Sequence, residues 1–82
     1  MYTVGEVSFM LEHLRALRED RNLSQKDMAQ VLSIHQTTYS DYELGRLNVP
    51  IPALVQLSEF FETSVDYLLG LTDEQKPYPR KR

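Results

Sequence analysis

The stretch LSQKDMAQVLSIHQTTYSDYELG, residues 23–45, decides the fold. Its apolar residues fall at helical spacing in two short runs. Ser24 stands where a helix N-cap should stand, and Asp27 follows three residues on. That is a capping box in weak form, because Asp is shorter than the usual Glu or Gln. Met28, Ala29 and Leu32 give this helix its buried side. Ser33 and Ile34 are a short connection, and the next helix is expected over residues 35–44, with Tyr39 and Tyr42 turned inward. Gly45 fits the position just past a helix end, where a left-handed residue is common.

Two helices joined so tightly must cross closely. Ala29 is small enough to permit a steep crossing, and Ile34 and Tyr39 can plug the junction. This is the pattern of a helix-turn-helix. Residues 36, 37, 40, 41 and 44 share one face of the second helix, and most are small and polar. Such a face suits the edges of bases in the major groove, where the first residues of a recognition helix make contact. Gln36 can pair with adenine N6 and N7. Thr37 can offer a hydroxyl to a base or phosphate and a methyl to thymine. The unpaired amides at the starts of both helices suit phosphates.

Outward from this core, residues 8–21 form a first helix with Met10, Leu14 and Leu17 on one stripe, ending near Asn22. Pro52 suits the first turn of a fourth helix, with Leu54, Leu57, Phe60 and Phe61 as its apolar positions. Ser64 caps a short fifth helix, VDYLL, and Gly70 closes it. The expected architecture is therefore all-α, a compact domain of five helices over residues 8–70. Residues 1–7 form an N-terminal arm. Residues 71–82, with two prolines and a basic end at Arg80, Lys81 and Arg82, form a flexible tail.

The composition narrows the function. The chain has 82 residues, enough for one domain. It has no cysteine, which removes disulfides and thiolate chemistry and fits a reducing cytosol. No apolar run approaches the ~20 residues of a membrane span, and the N-terminus lacks the pattern of a signal peptide. His13 and His35 alone do not make a metal site, and His13 is expected on the surface of the first helix. No nucleophile–base pair, phosphate loop or second lobe is visible, so neither an enzyme, a cofactor nor a small-molecule substrate is expected. The net charge is −3, which argues against indiscriminate nucleic-acid binding. Residues 9–70 hold five basic and nine acidic side chains. Lys26 and Arg46 flank the polar face, whereas Glu59, Glu62 and Asp66 lie on later helices.

Read together, LRALREDRNLSQKDMAQVLSIHQTTYSDYELGRLNVP and LVQLSEFFETSVDYLLG resemble the lambda-repressor-like helix-turn-helix family of phage repressor, Cro and Xre-type regulators. The resemblance covers roughly residues 9–70. It rests on Leu17-Arg18, Leu23-Ser24-Gln25, Met28-Ala29, Tyr42 to Gly45, Pro50 and Val65 to Leu69 at fixed relative spacing. It implies a DNA-binding transcriptional regulator, expected to be a bacterial or phage repressor in the cytoplasm, associated with the nucleoid when on DNA. It implies a structural ion pair between Arg18 and Glu43. It places Gln36, Thr37 and Asp41 toward bases, with Ser40 beside them. Gln25 is implied at a phosphate, bracing Gln36, and Arg46 and Asn48 near the DNA backbone. Lys26, His35 and the Tyr42 hydroxyl are further expected backbone contacts. The implied partner is a palindromic double-stranded operator bound by a homodimer, its half-sites roughly 34 Å apart. Phe60, Phe61, Tyr67 and Leu68, with Leu69 and Leu71, include a candidate dimer patch. The alternative is an antitoxin-like or protein-interaction module with weak DNA affinity, which the acidic balance favours. Three positions depart from the family: Ser33 replaces a common glycine, His35 a common Ser or Thr cap, and Leu44 a common asparagine.

Overall fold

A computed structural model of the chain describes residues 11–76. Five α-helices occupy these residues, and no strand occurs among them. Helix α1 runs Glu12–Asp20, α2 Gln25–Leu32, α3 Gln36–Leu44, α4 Ile51–Phe60 and α5 Val65–Leu68. The expected first helix began at residue 8. Residues 8–10, the arm over residues 1–7 and the basic end of the chain lie outside the described residues. The described helix stops one residue early at its other end, because Arg21 is already the C-cap. Asn22 then takes a left-handed conformation, φ 56°, which turns the chain toward α2.

Local chemistry sets each helix boundary. At α2 the Ser24 hydroxyl accepts from the Asp27 amide at 3.0 Å, and the Asp27 carboxylate accepts from the Ser24 amide at 2.9 Å. The box is therefore complete despite its shorter acid. The hydrogen bonds with Ser24, that from its backbone amide foremost, hold the Asp27 carboxyl below the usual carboxylate range. Ser33 closes α2 with φ 57°, the left-handed geometry glycine would adopt without strain. Gly45 does the same after α3 with φ 75°. Pro50 is the N-cap of α4, with Pro52 in its first turn. The Ser64 hydroxyl caps α5 by accepting from the Tyr67 amide at 3.0 Å. Leu69, expected inside this helix, is its C-cap.

One core joins all five helices. Leu11, Leu14 and Leu17 meet Met28, Ala29 and Leu32, then Tyr39, Tyr42, Leu57, Phe61 and Leu68. Ile34 packs against this cluster from the turn. Ala29 is buried at the α2–α3 junction, as a close helix crossing requires. Burying side chains of this size contributes about 1.5–3 kcal/mol each before conformational entropy is counted.

Polar contacts between distant segments tie the helices further. The Arg21 guanidinium donates to the carbonyls of Phe60 at 3.1 Å and Phe61 at 3.5 Å, and lies over both rings. It thus closes the end of α4, where carbonyls lack helical partners. Gln56 donates to the Val31 carbonyl at 2.8 Å. The buried Thr63 hydroxyl donates to the Gln75 carbonyl, and the Leu71 amide to the Asp66 carbonyl at 2.9 Å. Residues 71–76 are thereby held against the turn before α5.

His13 is not the free surface residue expected from sequence. Its ring stacks on Tyr67 at 4.1 Å between centroids, and Nδ1 meets the Tyr67 carbonyl at 2.6 Å. It fastens α1 to α5. A lone polar residue on a helix carries no sign of a partner 54 positions away.

Candidate nucleic-acid interface

The exposed face of α3 begins at its N-terminus. His35 is its N-cap in extended conformation, and no side chain caps the helix. The first amides of α3 therefore keep their donors and their partial positive charge. His35, Gln36 and Thr37 are exposed, and Ser40 and Asp41 are half-buried one turn further along. Lys26, in the first turn of α2, is exposed. Past Gly45, Arg46 and Asn48 are exposed on the loop toward α4.

A buried polar network holds this face in place. Arg18 on α1 donates from Nε to Glu43 Oε2 at 2.6 Å and from Nη2 to Glu43 Oε1 at 3.3 Å. Its Nη1 donates to the Leu23 carbonyl at 2.9 Å. The Glu43 side chain is 3% exposed and that of Arg18 11%. The hydrogen bond to Glu43, opposed by desolvation, raises the Arg18 pKa, so the guanidinium stays charged. One cation thus joins α1, the turn before α2 and the last turn of α3. The Leu11 amide adds a second tie, donating to the Glu43 carbonyl at 2.9 Å.

Gln25 belongs to the same network. Its Nε2 donates to Glu43 Oε1 at 3.3 Å. Gln25 thereby ties the start of α2 to the last turn of α3. Tyr39 is fully buried, and its hydroxyl has no hydrogen-bond partner of good geometry. Burial first, and then the Glu43 carboxylate, push its phenol well above the ordinary tyrosine range.

Tyr42 turns inward, as its helical spacing predicts. It is 8% exposed and belongs to the core, with its ring on the wall of an apolar depression rather than on the polar face. The depression holds about 270 Å³ and is lined by Leu11, Tyr42, Leu47, Val49, Leu54, Leu69 and Leu71, among others. Its inward turn follows from helical periodicity, since Tyr39 and Tyr42 are three residues apart and share the buried side.

Charge on the face is sparse and arranged. Asp41 Oδ1 lies 3.8 Å from Arg46 Nη1. Arg15 pairs with Glu19 at 3.5 Å on the outer side of α1. Arg21 is committed to the end of α4. Among the described residues of the α2–α3 unit and its following loop, Lys26 and Arg46 are the exposed cations.

The helix-turn-helix family model matches residues 14–68. The chain belongs to the Cro/C1-type helix-turn-helix family. It is 36% identical over 66 residues to an uncharacterized HTH-type transcriptional regulator, YobD, of Bacillus subtilis, covering 80% of this chain and 59% of that one. The HTH-type transcriptional regulator AnsR of the same organism is 34% identical over 70 residues, covering 85% and 60%. Control protein C.SmaI of Serratia marcescens is 35% identical over 69 residues, covering 80% and 82%. The crystal structure of a transcriptional regulator from Listeria innocua superposes with a TM-score of 0.72 at 27% identity, covering 80% of this chain and 62% of that one. The chain thus spans about 60% of the length of the first two relatives.

No helix of the described residues is long and apolar enough to cross a membrane. Among those residues no group of three His, Cys, Asp or Glu side chains could hold a metal ion.

Proposed function

We propose that this protein is a sequence-specific DNA-binding transcriptional regulator that acts as a repressor in the cytoplasm, on the nucleoid. Helix α3 enters the major groove, and Gln36, Thr37, Ser40 and Asp41 meet base edges. Gln25, Lys26, His35, Arg46 and Asn48 approach the sugar–phosphate backbone, together with the free amides at the start of α3. The Tyr42 ring packs in the core, and its hydroxyl is a further backbone contact. The reading rests on one observation above the others: an exposed polar face at an uncapped helix N-terminus, backed by a buried Arg18–Glu43–Gln25 network. A face that reads bases must be held rigidly, because each hydrogen bond to a base edge is directional. The likeness to HTH-type transcriptional regulators supports the same conclusion.

The acidic balance does not oppose it. Phosphate contact here relies on helix amides and two cations, so affinity is modest and falls only shallowly with salt, while base readout carries the selectivity. We further propose a homodimer on a palindromic operator. Leu47, Leu69 and Leu71 are exposed around the apolar depression beside the end of α3, a position suited to a partner subunit. The same exposed leucines favour the second reading, a protein-interaction module of antitoxin type. Neither reading involves catalysis or a cofactor.

Selection from random duplex DNA at moderate salt separates the two. A regulator enriches a two-fold motif with half-sites about one helical turn apart. A protein-interaction module enriches no motif, and its weak binding disappears with a modest rise in salt.

A further inference from the structure

Helix α3 carries two charged side chains, Asp41 and Glu43. Glu43 is buried against Arg18, so Asp41 is the one charge on the exposed face. A bare carboxylate there would be repelled by phosphates on both sides of the groove. It would also be disfavoured by its place in the second half of α3, toward the negative end of the helix dipole.

The chain places a counter-charge beside it. The Asp41 carbonyl accepts from the Arg46 amide at 2.8 Å and from the Leu47 amide at 3.4 Å. Gly45, with its left-handed backbone, makes that closure possible. Arg46 is therefore returned over the residue whose carboxylate it faces, 3.8 Å away. The Arg46 side chain is 71% exposed and that of Asp41 27%. The guanidinium has five donors and uses few of them on Asp41. The rest are free to reach outward.

We propose that Asp41 and Arg46 form one specificity element. Arg46 bridges the Asp41 carboxylate and a DNA phosphate, which cancels the repulsion. The carboxylate so neutralised selects a cytosine at one position of each half-site by accepting from its N4 amino group. Arg46 is then a positioning and charge-balancing residue as well as a backbone contact. The inference rests on the proposed reading of α3 as the groove helix.

The test uses the full chain and four proteins: wild type, Asp41→Asn, Arg46→Gln and the double variant. Each is put through selection from random duplexes, then titrated against the enriched site. Asp41→Asn is isosteric, Arg46→Gln shortens an exposed side chain, and the closing hydrogen bonds come from the backbone, so the fold is retained; thermal melts check this. Asp41→Asn moves the preference at one position from cytosine toward adenine, by roughly tenfold. Arg46→Gln weakens binding at least about threefold more with Asp41 present than with Asn in its place. A wild-type motif that Asp41→Asn leaves unchanged, with Arg46→Gln costing the same in both backgrounds, overturns this inference alone. Absence of any wild-type motif overturns the groove reading and this inference with it.

Discussion

Arg18 and Glu43 are 25 residues apart in sequence, yet they meet in a two-point ion pair at 2.6 and 3.3 Å within the interior. Through it the orientation of α3 is referred to α1. Such a pair adds little net stability, because both charges are desolvated, but removing one partner strands the other. Arg18→Met or Glu43→Gln is expected to cost about 3–5 kcal/mol in urea unfolding. A variant in which both are apolar is expected to lose less than either single one. Equal or additive losses would show that the pair is not the joint described above.

The alkaline limb of stability belongs in part to Tyr39. Its phenol is held protonated above the ordinary value by burial and by Glu43. A raised pKa gives stability that is whole below the unfolded tyrosine value, about 10, and lost as pH rises beyond it. Tyr39→Phe is expected to flatten that loss. It also removes a buried hydroxyl without a partner, and should raise stability at neutral pH by about 1 kcal/mol. Unfolding free energies measured between pH 7 and 11 for both proteins decide it.

At the acid end the relevant group is Asp27. Its carboxyl is held low by the hydrogen bonds with Ser24. A lowered pKa gives stability that is present above the unfolded value, about 4, and lost as pH falls through the folded one. The stability advantage of wild type over Asp27→Asn is therefore expected to be full at pH 6 and to vanish on acidification below about pH 4. Ser24→Ala, which removes the other half of the box, is expected to cost about 1 kcal/mol in thermal or urea unfolding.

Ser33 carries the left-handed turn between α2 and α3 without the freedom of glycine. Ser33→Gly is expected to raise stability by roughly 0.5–1 kcal/mol, because the left-handed region costs an L-residue about that much or more. Lower stability on substitution would mean that the serine makes an interaction the glycine cannot replace.

The parts of the fold legible in the sequence are those written in local chemistry. Ser24, Gly45 and Ser64 mark helix ends because the caps they form lie within a few residues. Ala29 and Ile34 mark the tight turn because their sizes suit a close crossing. The Arg18–Glu43 pair came from the family resemblance, and no spacing rule would have supplied it. Contacts between separate elements were not legible. Nothing about His13 announces Tyr67, nothing about Arg21 announces the carbonyls at the end of α4, and nothing about Thr63 announces Gln75. Likewise, nothing about Gln25 announces its bond to Glu43. Tyr42 turns into the core as its helical spacing predicts.

The most direct measurement concerns Gln36. Wild type and Gln36→Ala would be titrated, at one salt concentration, against the selected operator and against a set with each position changed in turn. Gln36→Ala is expected to lose about 1–3 kcal/mol on the operator and to become indifferent to the base at one position of each half-site, with the other positions unaffected. If Gln36→Ala binds every duplex in the set as wild type does, the polar face of α3 does not read bases, and the protein is not a reader of operator sequence through this helix.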